Sequence, residues 1–167
     1  MKKIIPSLVL ILLCSTVMLF YACDKKELKS SSGAFDNSRI IRAQVTSWLD
    51  RQQAQLGPKY SENMEILKSN LELEKAHVES LYDSKKLLVI PIRKGLADKK
   101  QIDPNRLYHL ALVLDCSQQI ESGKVVIFKA DNSSPVTALP ENTLSKLYKS
   151  EPVSVAGQFR FLHIAGN

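Results

Sequence analysis

Three histidines, His77, His109 and His163, and a scatter of carboxylates are the residues of this chain best suited to proton transfer or metal binding. No histidine lies within four positions of another histidine or of a cysteine, so no local spacing spells out a metal site. His109 and Asp115 fall on the same parity of one apolar run, which makes them the acid/base pair on which an enzyme reading would have to rest. Asp115-Cys116-Ser117 also begins a reversal, and turn chemistry alone accounts for a carboxylate there. Glu72 and Glu74 alternate with Leu71 and Leu73 beside Lys75, the pattern of a solvated strand face. Cys116 closes the apolar run and reads as a small buried thiol without a base to activate it. Ser117, Ser122 and Ser154 lack the Gly-x-Ser-x-Gly elbow that exposes a serine nucleophile, and six scattered glycines make no phosphate loop. Catalytic residues, metal and cofactor are therefore all expected to be absent. Binding is the chemistry left over: Tyr108, Tyr148 and Phe159, with Arg106 and Arg160, would line a groove if a curled sheet left a concave face open, and would otherwise fill the core and its rim.

These side chains must be positioned by elements that the hydrophobic pattern outlines. Ile41, Val45, Trp48, Leu49, Gln52 and Leu56 recur on one face of a helix that Asp36, Asn37 or Ser38 would cap and that Gly57-Pro58 would stop, with Trp48 as a core anchor. A short helix is expected over residues 62–69, followed by a half-exposed strand over residues 70–78. Residues 86–93 form a strongly apolar strand in which Pro91, having no N–H to donate, is expected at an edge or a bulge. After a polar connection over residues 95–104, the strand 106–116 places Leu107, His109, Ala111 and Val113 on one face and Tyr108, Leu110, Leu112 and Leu114 on the other. Both faces are apolar, which predicts a central strand with cover on two sides. A turn over residues 117–123 leads into a hairpin partner at 124–129, then a loop at 131–135. Pro140-Glu141-Asn142-Thr143 opens a short helix running to Lys149, and residues 158–164 alternate as a last strand. The Gly-Asn pair that follows could still make a turn, which leaves a reading frame truncated after Asn167 as the alternative to one that ends there. The order, a long helix and then an antiparallel meander with a short inserted helix, predicts an α+β fold in one domain over residues 37–167.

The N-terminus carries an address. Lys2 and Lys3 precede an apolar run from Ile4 to Phe20, the layout of an export signal, and Tyr21-Ala22-Cys23 follows it. This segment resembles the bacterial lipoprotein signal, with Ala22 in the small position before the modified cysteine and Cys23 in the modified position. Phe20 and Tyr21 depart from the usual pattern of that lipobox. The resemblance implies that residues 1–22 are removed, that Cys23 carries acyl lipid of the palmitate type, and that the chain is held on a membrane facing the periplasm or the cell exterior. An uncleaved anchor is the competing reading of a run this long. Residues 23–36, polar and small from Asp24 onward, read as a flexible tether reaching about 40 Å when extended.

The net charge of +6, of which Lys2 and Lys3 supply two, is spread along the chain and shows no basic cluster interleaved with aromatics, so nucleic acid is not an expected partner. In element order the domain resembles the cystatin-type arrangement, in which a curled sheet wraps an N-terminal helix. The Gln-x-Val-x-Gly loop of cystatins has no counterpart here, so protease inhibition is not implied. The expectation is a membrane-tethered envelope lipoprotein acting as a non-catalytic binding module for an envelope protein or peptide. The alternatives are an enzyme using a cystatin-like cavity and a structural envelope component assembling through its edge strands.

Overall fold

The computed structural model describes residues 34–93, 105–131 and 136–164, with side chains described from Ile41 onward. The signal segment, Cys23, most of the expected tether, the connection 95–104, the loop 132–135 and residues 165–167 lie outside the described residues. Helix α1 (Ala34–Leu56) begins before the expected cap, so Asp36, Asn37 and Ser38 are within its first turns and the end of the expected tether is helical. It stops where expected: Gly57 takes φ +78° and ψ 178°, backbone essentially reserved for glycine, and its N–H closes on Gln53 O at 3.2 Å. A 3-10 turn (Pro58–Tyr60) leads into α2 (Ser61–Ser69). The two helices are clamped by Lys68, whose ammonium reaches Asp50 at 2.5 Å, Gln53 at 2.6 Å and Glu65 at 2.9 Å.

Five antiparallel strands follow in sequential order, β1 (His77–Ser80), β2 (Lys86–Ile92), β3 (Arg106–Leu114), β4 (Ile120–Ala130) and β5 (Gly157–His163), with helix α3 (Thr143–Tyr148) between the last two. The α+β class and the meander are as the pattern predicts, and β3 is the central strand. The half-exposed strand expected over residues 70–78 is not formed as such. Leu71 makes only an isolated bridge to Ile92, Leu73–Lys75 coils into a 3-10 turn that buries Leu73, and the ladder starts at His77. Glu72 and Glu74 therefore do not share a strand face. β1 and β2 are joined through Tyr82–Lys85, where Asp83 and Ser84 both have positive φ, the signature of a type I′ hairpin turn.

Pro91 lies in an interior strand, opposite His109, and is tolerated there because its carbonyl faces the side beyond the β1 ladder. There it accepts the N–H of Glu72 at 2.9 Å, and no β1 carbonyl needs the missing N–H. β3 ends at Leu114, so Cys116 is exposed on the following turn and is not the buried thiol expected of a strand residue. That turn is shorter than predicted, because β4 starts at Ile120 and includes Gly123. Gly123 has to lack a side chain: a Cβ there would stand 2.5 Å from Trp48 Cη2 and 2.6 Å from Leu112 Cδ2.

Alternation along the strands divides the core in two. On one face Leu88, Ile90, Leu110, Leu112 and Leu114 meet Val45, Trp48 and Leu49 of α1 and Met64 and Leu67 of α2. On the other, Leu87, Val89, Ala111 and Val126 meet Leu144 of α3, and Leu107, Phe128 and Ala130 form an adjoining cluster with Val136, Leu139, Val155 and Phe159. The double cover expected for the central strand is thus supplied by α1 and α2 on one side and by α3 with its flanking segments on the other.

Candidate functional site

The five candidate binding residues do not converge. Tyr108 is opposite Ile127, which is opposite Arg160, and Arg106 is opposite Lys129, so Arg106, Tyr108 and Arg160 belong to the face covered by α1. Phe159 is opposite Phe128 and stacks on it with ring centroids 4.8 Å apart on the other face, where Tyr148 of α3 also lies. Phe159 and Arg160 are consecutive in one strand and must point to opposite faces, so no groove can take both. Tyr148 belongs to an aromatic clip in which Lys124 Nζ sits 5.4 Å from its ring and 5.7 Å from that of Phe161, and burial raises its phenol to about 12. Tyr108 does border an apolar cleft of about 540 Å³, with Tyr60, Met64 and Leu162 among its walls.

The suggested pair of His109 and Asp115 is also not formed. Asp115 Oδ1 accepts the N–H of Gln119 at 2.8 Å in the β3–β4 turn, which is further held by Gln44 Nε2 on Gln118 O at 3.0 Å. His109 lies six residues back along the strand, about 20 Å at ~3.3 Å per residue. Turn chemistry is what Asp115 does.

The polar groups that do converge lie on the α3 side of the sheet, over β1, β2 and β3. A cavity of about 590 Å³ is floored by Val89 and Pro91, walled by Leu107, His109, His77 and Glu79, and roofed by residues 137–140 and Leu144. His77 and Glu79 point the same way because they are two apart in β1. Glu79 is only 4% exposed, an unusual place for a carboxylate. Its Oε2 accepts the backbone N–H of Ser145 at 2.6 Å, in the first turn of α3, and its Oε1 stands 3.3 Å from His77 Nε2. The first contact explains why α3 docks here. Asn142, just before the helix, is left-handed at φ +60° and makes no side-chain cap, so a carboxylate from a distant strand satisfies one of the helix's orphan N–H groups instead.

His109 is 7% exposed, and its Nδ1 is buried with no hydrogen-bond partner. Burial, reinforced by the nearby ring of His77 and opposed by Glu79, pushes its imidazole down to about 4, so the ring is neutral at ordinary pH. At the outer part of the cavity Lys75 is held by Glu72 at 3.0 and 3.1 Å. Among the described residues no cluster of three or more His, Cys, Asp or Glu could hold a metal ion. What the arrangement offers is a buried carboxylate, a neutral imidazole ring and aliphatic walls. His163, the third histidine, lies exposed near the end of β5 opposite Lys124.

No family model, curated protein or solved structure matches the chain.

Proposed function

We propose that the chain is a membrane-tethered lipoprotein of the cell envelope, attached through Cys23, whose α+β domain is a non-catalytic binding module that takes its ligand in the cavity over Val89 and Pro91. The observation that supports the binding reading is a cavity of about 590 Å³ lined by a buried carboxylate, Glu79, that pairs with no lysine or arginine among the described residues. A folded chain ordinarily pairs a buried charge with a fixed cation, and one left without such a partner beside a cavity marks a place for an outside molecule.

Glu79 and His109 give the enzyme reading its footing, with Glu79 in the role that Asp115 cannot fill. Binding is favoured over it because Glu79 Oε2 already accepts the N–H of Ser145 and holds α3 in place, a contact that proton transfer at the carboxylate would disturb. The test is a fragment screen by NMR on the full-length protein in detergent, using neutral, anionic and cationic small molecules and following the amides of Val89 and His109. Binding in the cavity shifts those signals, and Ala138→Trp, which fills the exposed roof without touching the core, abolishes the shifts. A screen in which no fragment moves them sinks the reading.

A further inference from the structure

We propose that this cavity recognises an organic cation, a primary ammonium on a short aliphatic stem, with Glu79 as its counter-charge. The inference rests on the binding reading above and adds the chemistry of the ligand.

A carboxylate 4% exposed calls for a compensating charge. Among the described residues Glu79 pairs with no lysine or arginine. Its partners are a neutral backbone N–H and the ring of His77 at a long 3.3 Å, and His77 is itself about half exposed. The two fixed cations of the cavity lining do not serve it. Lys75 is held by Glu72, and Arg93 makes no ion pair with Glu79.

The missing partner is therefore a cation from outside. The ring of His109, which burial keeps neutral at ordinary pH, lines the same space without adding a competing positive charge. Val89, Pro91, Leu139 and Leu144 supply apolar wall for a stem of a few methylenes. An anion would be repelled by Glu79, and a metal ion lacks a ligand set among the described residues.

The experiment is calorimetric titration, with NMR of the histidine side-chain nitrogens and the Val89 amide, of full-length protein in detergent at neutral pH with n-pentylamine, 1-pentanol and pentanoate. These probes share a stem and differ in charge. The amine is expected to bind about tenfold or more tightly than the alcohol, the scale of one charge-assisted hydrogen bond, and to shift the Val89 amide and the ring nitrogens of His109. Glu79→Gln, which keeps an acceptor for Ser145, is expected to reduce amine binding to the level of the alcohol. Equal binding of amine and alcohol, or preferred binding of pentanoate, with Val89 and His109 shifting, overturns the cation and leaves the binding cavity standing. Zinc ion that shifts His77 and His109 on its own, and displaces the amine when added to the bound protein, also overturns it. If none of the three organic probes moves His109 or Val89, the binding reading falls and the cation with it. Should Glu79→Gln fail to fold, the three-probe comparison on the wild-type protein decides alone.

Discussion

At the scale of single residues, the consequences of burial can be given a sign and a size. Folding lowers the pKa of His109 from 6.5 to about 4, so between those values the unfolded chain binds a proton that the folded one refuses. Stability contributed by the neutral ring is whole above pH 6.5 and is lost as pH falls toward 4, by about 3 kcal/mol in total. His109→Gln removes that titration, and urea midpoints measured from pH 7 to 4 should fall less steeply for the variant than for the wild type. Parallel curves would show that the ring charges freely in the folded state. Gly123 makes a second residue-scale case. Its missing side chain is where the indole of Trp48 rests on β4, and a methyl there would stand 2.5 Å from Cη2. Gly123→Ala should therefore destabilise by about 1–3 kcal/mol, the ordinary cost of overpacking. A urea midpoint equal to that of the wild type would mean the indole can shift without penalty.

At the scale of elements, α3 is the case where stability depends on a contact 66 positions away in sequence. A helix this short has little stability of its own, and its docking depends on Leu144 in the second core and on Glu79 accepting the N–H of Ser145. Glu79→Leu strands that buried N–H at a cost of about 1–3 kcal/mol, whereas Glu79→Gln keeps an acceptor and should lose less. Amide exchange at Ser145 separates the two: faster exchange in the Leu variant than in the Gln variant supports the capping role, and equal protection refutes it. The same contact shows why the site was illegible in the sequence. Helix α1 and strand β3 were readable because period and parity alone select their buried faces, Val45, Trp48 and Leu49 on one, Leu110 and Leu112 against His109 and Ala111 on the other. β1 was not, because Leu71 and Leu73 imitate strand alternation while Leu73 is buried by a 3-10 turn. Glu79 carries no local sign that a distant helix will bury it. The scattering of Arg106, Tyr108, Tyr148, Phe159 and Arg160 over two faces follows from inter-strand register, apart from Phe159 and Arg160, whose adjacency already forbids a shared face.

At the scale of the whole molecule, the proposal concerns how the domain is held at a membrane. Among the described residues no helix is long and apolar enough to cross one. Cys23 as an acylated N-terminus gives a definite quantity to measure. A single acyl chain holds a protein only marginally and reversibly, while two or more, at about 0.8 kcal/mol per buried methylene, hold it firmly. Residues 24–33 would then span up to about 34 Å at ~3.4 Å each, enough to hold the domain and its cavity off the headgroups. The intact mass of protein expressed with its own signal in a lipoprotein-competent bacterium should therefore show residues 1–22 removed and acyl mass added. Cys23→Ala should remove the acyl mass and leave the signal uncleaved. The two proteins fold alike on this account, because Cys23 precedes every described element, so their urea midpoints should agree while their acylation differs. An unmodified and uncleaved N-terminus in both would replace the lipid with a protein anchor. The cavity would keep its chemistry, but it would sit on a chain fixed to the membrane through residues 4–20 rather than through lipid on Cys23.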